Sequence, residues 1–549
     1  MVENSRQGIL ELMIDLVKIP SVSCSPGEAE AGRFIHSKLM TLPYFREHPE
    51  NNRLIPVPDD PFGRGVVLAI AEADPPTRDT VILTGHYDVV DTGDFGPLEH
   101  LAFSPAEYTE KLREKGLEGD AGRDLNSGDY IFGRGVMDMK CGLAAEMALI
   151  AEAVCSPGKL KVNLLFLAVP DEEVGSAGMR AAVPVLAALQ RSRELRLLGA
   201  VMTEPASAGA PDAEDEVISF GSVGKLMPFF YCVGTGSHVG QYFEGFNASL
   251  LAAHCMLLVE GDPSLADSAR GETVPPPACL FSRDLREGYS VTLPDRAAVF
   301  FNLLTLGKTP ADVVREMKII AGKAFENAVD QIRKSAFERG AFFREFKPLV
   351  LTFEEFTSAT AAALGTDIKE KIREVVRGMD PSMDDRLRSL ALITEMLSWV
   401  PPASPMMITG FLPPYYPHRS NGEVTAGDKR IRRVAERVME VAKRDHGVRM
   451  STREFFQGIC DLSYMGFQGS AFDVFCMAAN TPGWGSIYRV ALREMMELDV
   501  PVMNLGPSGK DPHKPTERLC LSYSLEVFPR LLREAVAAFG EASKNDIEL

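Results

Sequence analysis

A histidine and several carboxylates in this sequence each come directly after a short apolar run, a recurrence that suits a metal site. The run 81–84 leads into Gly85-His86-Tyr87-Asp88. On extended backbone, positions two apart share a face, so Asp88 can reach the His86 imidazole, fix one tautomer and leave the other nitrogen for a metal. The stretch GRGVMDMKCG, 133–142, sets Asp138 just ahead of a helical pattern. Ala168-Val169-Pro170 runs straight into Asp171, Glu172 and Glu173. Three carboxylates after a hydrocarbon strand are costly unless cations neutralise them. Met202-Thr203-Glu204-Pro205 repeats the pattern with one acid, and the run 500–504 leads through a Gly/Pro turn to His513, with Glu517 beyond it. His238 sits among glycines in GTGSHVG, 234–240, where backbone can approach a ligand closely.

Taken singly, each of these has a plain alternative. His86 and Asp88 suit a hydrogen-bonded structural pair, Asp138 a helix cap, 171–173 a solvated acidic loop, Glu204 a loop acid, and His238 and His513 ordinary surface histidines. Taken together they form the ligand set of a two-metal site. Two zinc ions, one bridging Asp, two terminal Glu and one hydroxide sum to zero charge. Glu172 cannot readily share the metal of Glu173, because neighbouring side chains on extended backbone diverge, so it is free to act as a base. Two ions roughly 3.5–4 Å apart polarise a carbonyl and bring the pKa of bound water toward about 7, which is what amide hydrolysis at neutral pH needs.

Such groups must be held by strand ends, and the elements predicted from the sequence supply them. Ile9, Leu10, Met13, Ile14 and Leu16 fall at helical spacing, so a helix opens the chain and stops before Pro20. Aliphatic runs at 66–71, 81–84, 162–169 and 198–202 alternate in part with helical patterns at 142–154 and 179–190. Strands apolar on both faces with interleaved helices predict an α/β fold with a mostly parallel sheet flanked by helices. Small and acidic residues at 205–219 predict a surface loop. Between 222 and 357 the order is strand, helix at 241–258, strand at 297–304, long helix at 311–339 and strand at 349–353, the pattern of an inserted α+β sandwich. The expected domains are therefore 1–221 with 358–549, and 222–357. Helices near 367–399 and a Pro-rich loop, with PPASPMM and FLPPYYPH, come next.

The 549 residues are 45% hydrophobic and 24% charged, with mean hydropathy −0.03, proportions that give ample core. The net charge of −18 repels phosphate backbones, so nucleic acid is excluded as a partner. No run reaches the roughly 18–20 apolar residues that span a bilayer, and the charged start does not read as a signal peptide. The nine cysteines lack paired spacing and read as reduced thiols. A cytoplasmic protein without membrane partners is expected.

These motifs together resemble the co-catalytic zinc metallopeptidases that include glutamate carboxypeptidase, aminoacylase and succinyl-diaminopimelate desuccinylase. The resemblance runs from Lys18-Ile19-Pro20-Ser21-Val22-Ser23 through GHYDVV, GRGVMDMKCG, DEEVGSAG, TEP and GTGSHVG to His513. The long segment between His86 and Asp138, and FLPPYYPH, look like the arginine-utilisation, RocB-type branch. The resemblance implies two Zn²⁺, with Co²⁺ or Mn²⁺ as alternatives. It implies Asp138 as the bridging ligand, His86 and Glu204 on one ion, and Glu173 and His513 on the other. Glu172 would be general base and then proton donor, with Asp88 supporting His86. It further implies a cis peptide after Asp138, an inserted lid and dimerisation domain, and a role for His238 as oxyanion donor reaching a partner subunit's site. The sequence departs from many relatives at Ser290-Val291-Thr292-Leu293-Pro294 and at Asn302-Leu303-Leu304, which makes His418 and Arg419 the substitute candidates for holding substrate. The expected activity is cleavage of an amide bond in a short peptide or N-acyl amino acid by zinc-activated water. The alternatives are a non-hydrolytic metal-binding or regulatory relative, and a hydrolase of carbamoyl or lactam bonds.

Overall fold

Strands that are apolar on both faces need cover on both faces, and that requirement shapes the part of the molecule that carries the site. The structure is a computed structural model that describes residues 4–159, 161–205, 215–422 and 424–545. The chain divides into two units: Met1–Ser222, Arg419–Phe467 and Arg493–Leu549 form the first, Val223–His418 and Gln468–Leu492 the second.

The first unit is built on an eight-stranded sheet in the order Asn52–Pro56, Gly65–Ala71, Asn163–Val169, Asp79–His86, Arg196–Met202, Val502–Asn504, Glu216–Ser219, Met450–Arg453. The four strands from Asn163–Val169 to Val502–Asn504 run parallel, with Val81 opposite Leu164 and Val502 opposite Ala200. Val67, Ala69, Val81, Leu83, Leu164 and Phe166 face one side and join a core with helices Arg6–Val17, Lys140–Cys155, Ala426–His446 and Phe528–Asn545. The alternate residues Val66, Leu68, Ile70, Ile82, Leu165 and Leu167 are equally buried. This is the predicted α/β arrangement. Helix Arg6–Val17 starts because Ser5 accepts a hydrogen bond from Gly8 N–H at 3.1 Å. Helix Lys140–Cys155 can sit at the centre because Gly142, Ala144, Ala145, Ala148 and Ala151 keep it slim.

The second unit carries a sheet in the order Ala278–Asp284, Arg296–Thr305, Pro228–Val233, Met406–Phe411, Val350–Thr352, antiparallel except for its last pair. Helices Ala248–Val259, Pro310–Glu338 and Asp385–Trp399 pack with it. The expected boundary at 357 moves to His418 for a physical reason. The apolar run Met406–Phe411, lying between the two Pro-rich stretches, is a strand that pairs with Pro228–Val233, Phe229 opposite Gly410. Residues 468–492 also return to this unit. The helix expected over 241–258 is shorter, Ala248–Val259, because Asn247 caps it by accepting from Ser249 N–H at 2.9 Å; a 3₁₀ turn, Val239–Glu244, precedes it.

Of the loop expected at 205–219, residues 206–214 lie outside the described residues, and Glu216–Ser219 is a strand beside Met450–Arg453. All nine cysteines are free thiols. Among the described residues no helix is long and apolar enough to cross a membrane.

Candidate metal centre

Parallel strands end together, and here their carboxyl ends deliver the charged groups. His86 closes Asp79–His86 and is 1% exposed. Its Nδ1 lies 3.0 Å from the Asp88 main-chain oxygen, so Nδ1 carries the proton and the Nε2 lone pair is turned inward. That Nε2 stands 3.2 Å from Asp138 Oδ1 and 3.2 Å from Glu204 Oε1. His513 Nε2 repeats the arrangement, 3.2 Å from Asp138 Oδ2 and 3.1 Å from Glu173 Oε1. Asp138 thus turns one oxygen to each imidazole. Ligand atoms of His86, Glu172 and Glu204 lie within 4.8 Å of one another, as do those of His86, Asp138 and Glu173.

Two features show that these residues fit a pair of divalent cations. One ring nitrogen offers a single proton or a single lone pair, yet each Nε2 faces two carboxylates almost equally. Atoms sharing one tetrahedral zinc with bonds of about 2.0–2.2 Å lie about 3.3–3.5 Å apart, close to the separations found. Electrostatics agrees. Burial alone would lower the pKa of His86, but the Glu204 and Asp138 carboxylates raise it well above the usual imidazole range. Hydrogen bonds to Asp138 and Glu173 raise His513 to about 10. Burial, with Asp138 and Glu173 nearby, raises Glu204 to about 7 against the pull of His86. Glu172 is pushed well above the ordinary carboxyl range by burial, with Asp461, Glu173 and Glu204 adding to it against His86. The cluster calls for positive charge, and divalent ions would supply it in place of protons on the imidazoles.

Each candidate ligand is held from behind. Asp88 is fully buried, and its carboxylate braces the acidic loop: Oδ1 accepts from Glu172 N–H at 3.0 Å, and Oδ2 from Glu173 N–H at 3.2 Å and Ser23 Oγ at 2.7 Å. Its support of His86 therefore runs chiefly through the main chain, with the carboxylate 3.5 Å from Nδ1. Asp171 and Ser176 adopt left-handed φ of 68° and 48°. The turn between them is tied down by Arg64, which donates to Asp171 Oδ1 at 2.8 Å and to Glu28, and by Asp171 N–H donating to Glu28 at 2.9 Å. Glu204 is fixed by Asn504, whose side chain accepts from Glu204 N–H and donates to Glu204 O, both at 3.0 Å. Gly506 is required there, since a Cβ would sit 1.8 Å from that oxygen. Glu517 holds the Asp138 loop through Arg134 at 2.7 Å and Met137 N–H at 3.4 Å. The Asp138–Met139 peptide is cis.

Sequence reasoning passed over Glu28, Arg64 and Asp461. Asp461 is fully buried; one oxygen accepts from Ser176 Oγ at 2.7 Å, and the other has no hydrogen-bond partner among the described residues. Its signal was a lone acid in the apolar run CDLSYMG.

His86, Asp88, Asp138, Glu172, Glu173, Glu204 and His513 all belong to the first unit, and His238 and His418 to the second. His238 is exposed and caps the turn Val239–Glu244, its Nδ1 accepting from Gly240 N–H at 3.1 Å. His418 is half-buried, 3.3 Å from Thr305 Oγ1. Arg419, expected to hold substrate, is buried in the first unit, and its guanidinium donates to Val500 O and Ser420 O and pairs with Asp499. That commitment to its own chain runs against the expected role.

The family model described as Peptidase family M20/M25/M40 matches residues 82–536, a span that includes every residue of this cluster. The chain belongs to peptidase family M20/M25/M40. Within the family it is 32% identical over 551 residues to YqjN of Bacillus subtilis (strain 168), covering 98% of each chain. It is 28% identical over 544 residues to Protein RocB of the same organism, covering 97% of this chain and 94% of RocB. The fold is similar to that of a tripeptidase from Staphylococcus aureus subsp. aureus mu50, with a TM-score of 0.53, 12% identity, and coverage of 98% of this chain and 99% of that one. Membership makes this chain an M20 family hydrolase of the peptidase and amidohydrolase type, and RocB is among its homologues, as the motifs implied.

Proposed function

We propose that this protein is a two-metal hydrolase that cleaves the amide bond of a short peptide or an N-acyl amino acid, in the service of arginine or amino-acid utilisation. The observation that carries the reading is the Asp138 carboxylate, with one oxygen toward His86 and the other toward His513, and each imidazole also facing a second carboxylate. Asp138 would bridge, His86 and Glu204 would hold one ion, and Glu173 and His513 the other. Zinc suits this nitrogen and oxygen set, with cobalt or manganese able to replace it. Two such ions supply Lewis-acid polarisation of a carbonyl and a water acidic enough to ionise near neutral pH.

The rest falls to the chain. Glu172, whose affinity for protons is raised by burial, takes the proton of the attacking water and passes it to the leaving nitrogen. Asp88 keeps Glu172 and Glu173 oriented through their N–H groups. His238 donates to the developing oxyanion, and in the dimer that the resemblance implies, it does so for the partner subunit. His418 contributes to substrate binding.

The test is turnover of a panel of dipeptides and N-acyl amino acids, basic and ornithine-like side chains included, by metal-depleted protein before and after zinc or cobalt is restored. Activity that returns with metal on amide substrates is expected. Preference for N-carbamoyl or lactam substrates would move the reaction to another carbonyl bond. Metal uptake without turnover of any substrate would make the protein a binding or regulatory relative.

A further inference from the structure

His513 reaches the cluster from a loop, not from a strand end, and it does so in an unfavourable conformation. Its φ is 63° and that of Asp511 is 58°, the left-handed region that L residues with side chains avoid. The His513 side chain is half exposed, so packing around the ring does not hold it. What does hold the loop is the long segment between His86 and Asp138, which the reaction described above leaves without a task.

We infer that residues 93–129 act as a clamp that positions His513, so that the ion held by His513 and Glu173 is governed separately from the ion held by His86 and Glu204. The inference rests on the two-metal reading above. The segment has a small core of its own, in which Phe95, Ala102, Tyr108, Leu112 and Leu125 pack with Phe132. From that base it grips the loop on both sides of His513. The Tyr108 hydroxyl donates to Pro515 O at 2.8 Å. Asp124 accepts from Lys510 Nζ at 3.0 Å and from Arg518 Nε at 2.7 Å. Asp120 accepts from Lys510 at 2.9 Å and from Arg518 at 3.0 Å. Arg518 also donates to Asp511, which fixes one of the two left-handed residues. The Arg518 side chain is 1% exposed, so its charge depends on these carboxylates. His86 and Glu204 are positioned instead by a strand end and by Asn504, and where the segment also meets the Asp138 loop, through Arg134 donating to Asp94 at 3.3 Å and its N–H to Ala102 O at 2.9 Å, neither Asp124 nor Tyr108 takes part. Asp124 and Tyr108 are therefore positioning residues.

The test is titration of the metal-free full-length protein with Co²⁺, followed by visible absorption and by counting bound ions. Wild type is expected to take up two ions. The double variant Asp124→Ala with Tyr108→Phe is expected to fill its first site with unchanged affinity and its second at least tenfold more weakly. Asp124→Glu should restore most of the loss. If the double variant does not fold, Tyr108→Phe alone removes only a hydroxyl and should weaken the second ion at least threefold. Equal weakening of both ions, or of neither, would overturn the clamp while leaving the two-metal reading intact. A wild-type protein that binds fewer than two ions would overturn both.

Discussion

Glu172 and Glu173 are neighbours in the chain with their N–H groups on one brace, Asp88, yet they are assigned different work. Glu173 meets His513 at 3.1 Å. Glu172 lies with His86 and Glu204 and is pushed well above the ordinary carboxyl range, first by burial. Substituting Glu172→Gln keeps the shape and removes the base, so turnover should fall by roughly 10²–10⁴ while elemental analysis still finds the wild-type metal content. Loss of an ion with that change would make Glu172 a ligand and refute the division between the two acids. His86, Glu173 and Glu204 were legible in the sequence because each follows an apolar run that ends at the same end of the sheet, and Asp138 and His513, which come from loops, because of their Gly-rich and Gly/Pro surroundings. Arg64, Glu28 and Asp461 were not, since their placement beside 171–176 depends on chain segments far apart in sequence. The bonding of Arg419 was hidden for the same reason: nothing local reveals that Val500 and Asp499 hold its guanidinium.

Helix Lys140–Cys155 links fold to site, because it begins two residues after Asp138 and packs against Thr203, the residue before Glu204. A Cβ at Gly142 would lie 2.3 Å from Thr203 Oγ1 and 2.4 Å from Thr203 O. Gly142→Ala should therefore force helix and strand end apart, costing about 1–3 kcal/mol of stability and weakening metal binding at Glu204. The same substitution at Gly322, on helix Pro310–Glu338 with no atom within 4 Å of the added carbon, should raise stability by about 0.5–1 kcal/mol. Urea unfolding of both metal-free variants checks the pair, and a gain at Gly142 would contradict the packing argument. At this scale the strands 65–71, 79–86, 163–169 and 196–202 were readable because burial on both faces leaves unbroken apolar runs. Met406–Phe411 was hidden: six residues between proline clusters look like a loop until Pro228–Val233 is seen to pair with them.

Across the whole molecule, the first unit gathers the ends of parallel strands, and the carboxylates they carry account for a share of the −18 net charge. The second unit has a separate core around Phe229, Tyr231, Ile393 and Ile408, so each folds about its own apolar centre. The fold class was legible from alternating strand and helix patterns. The limits of the second unit were not, because 468–492 rejoins it only through pairing and packing distant in sequence. The proposed chemistry requires the first unit to hold two cations at once. The most direct measurement is anomalous scattering from crystals of the zinc-reconstituted protein. It should reveal two peaks roughly 3.5–4 Å apart, with Asp138 between them, His86 and Glu204 on one, and Glu173 and His513 on the other. A single peak, or two peaks without Asp138 between them, would contradict it.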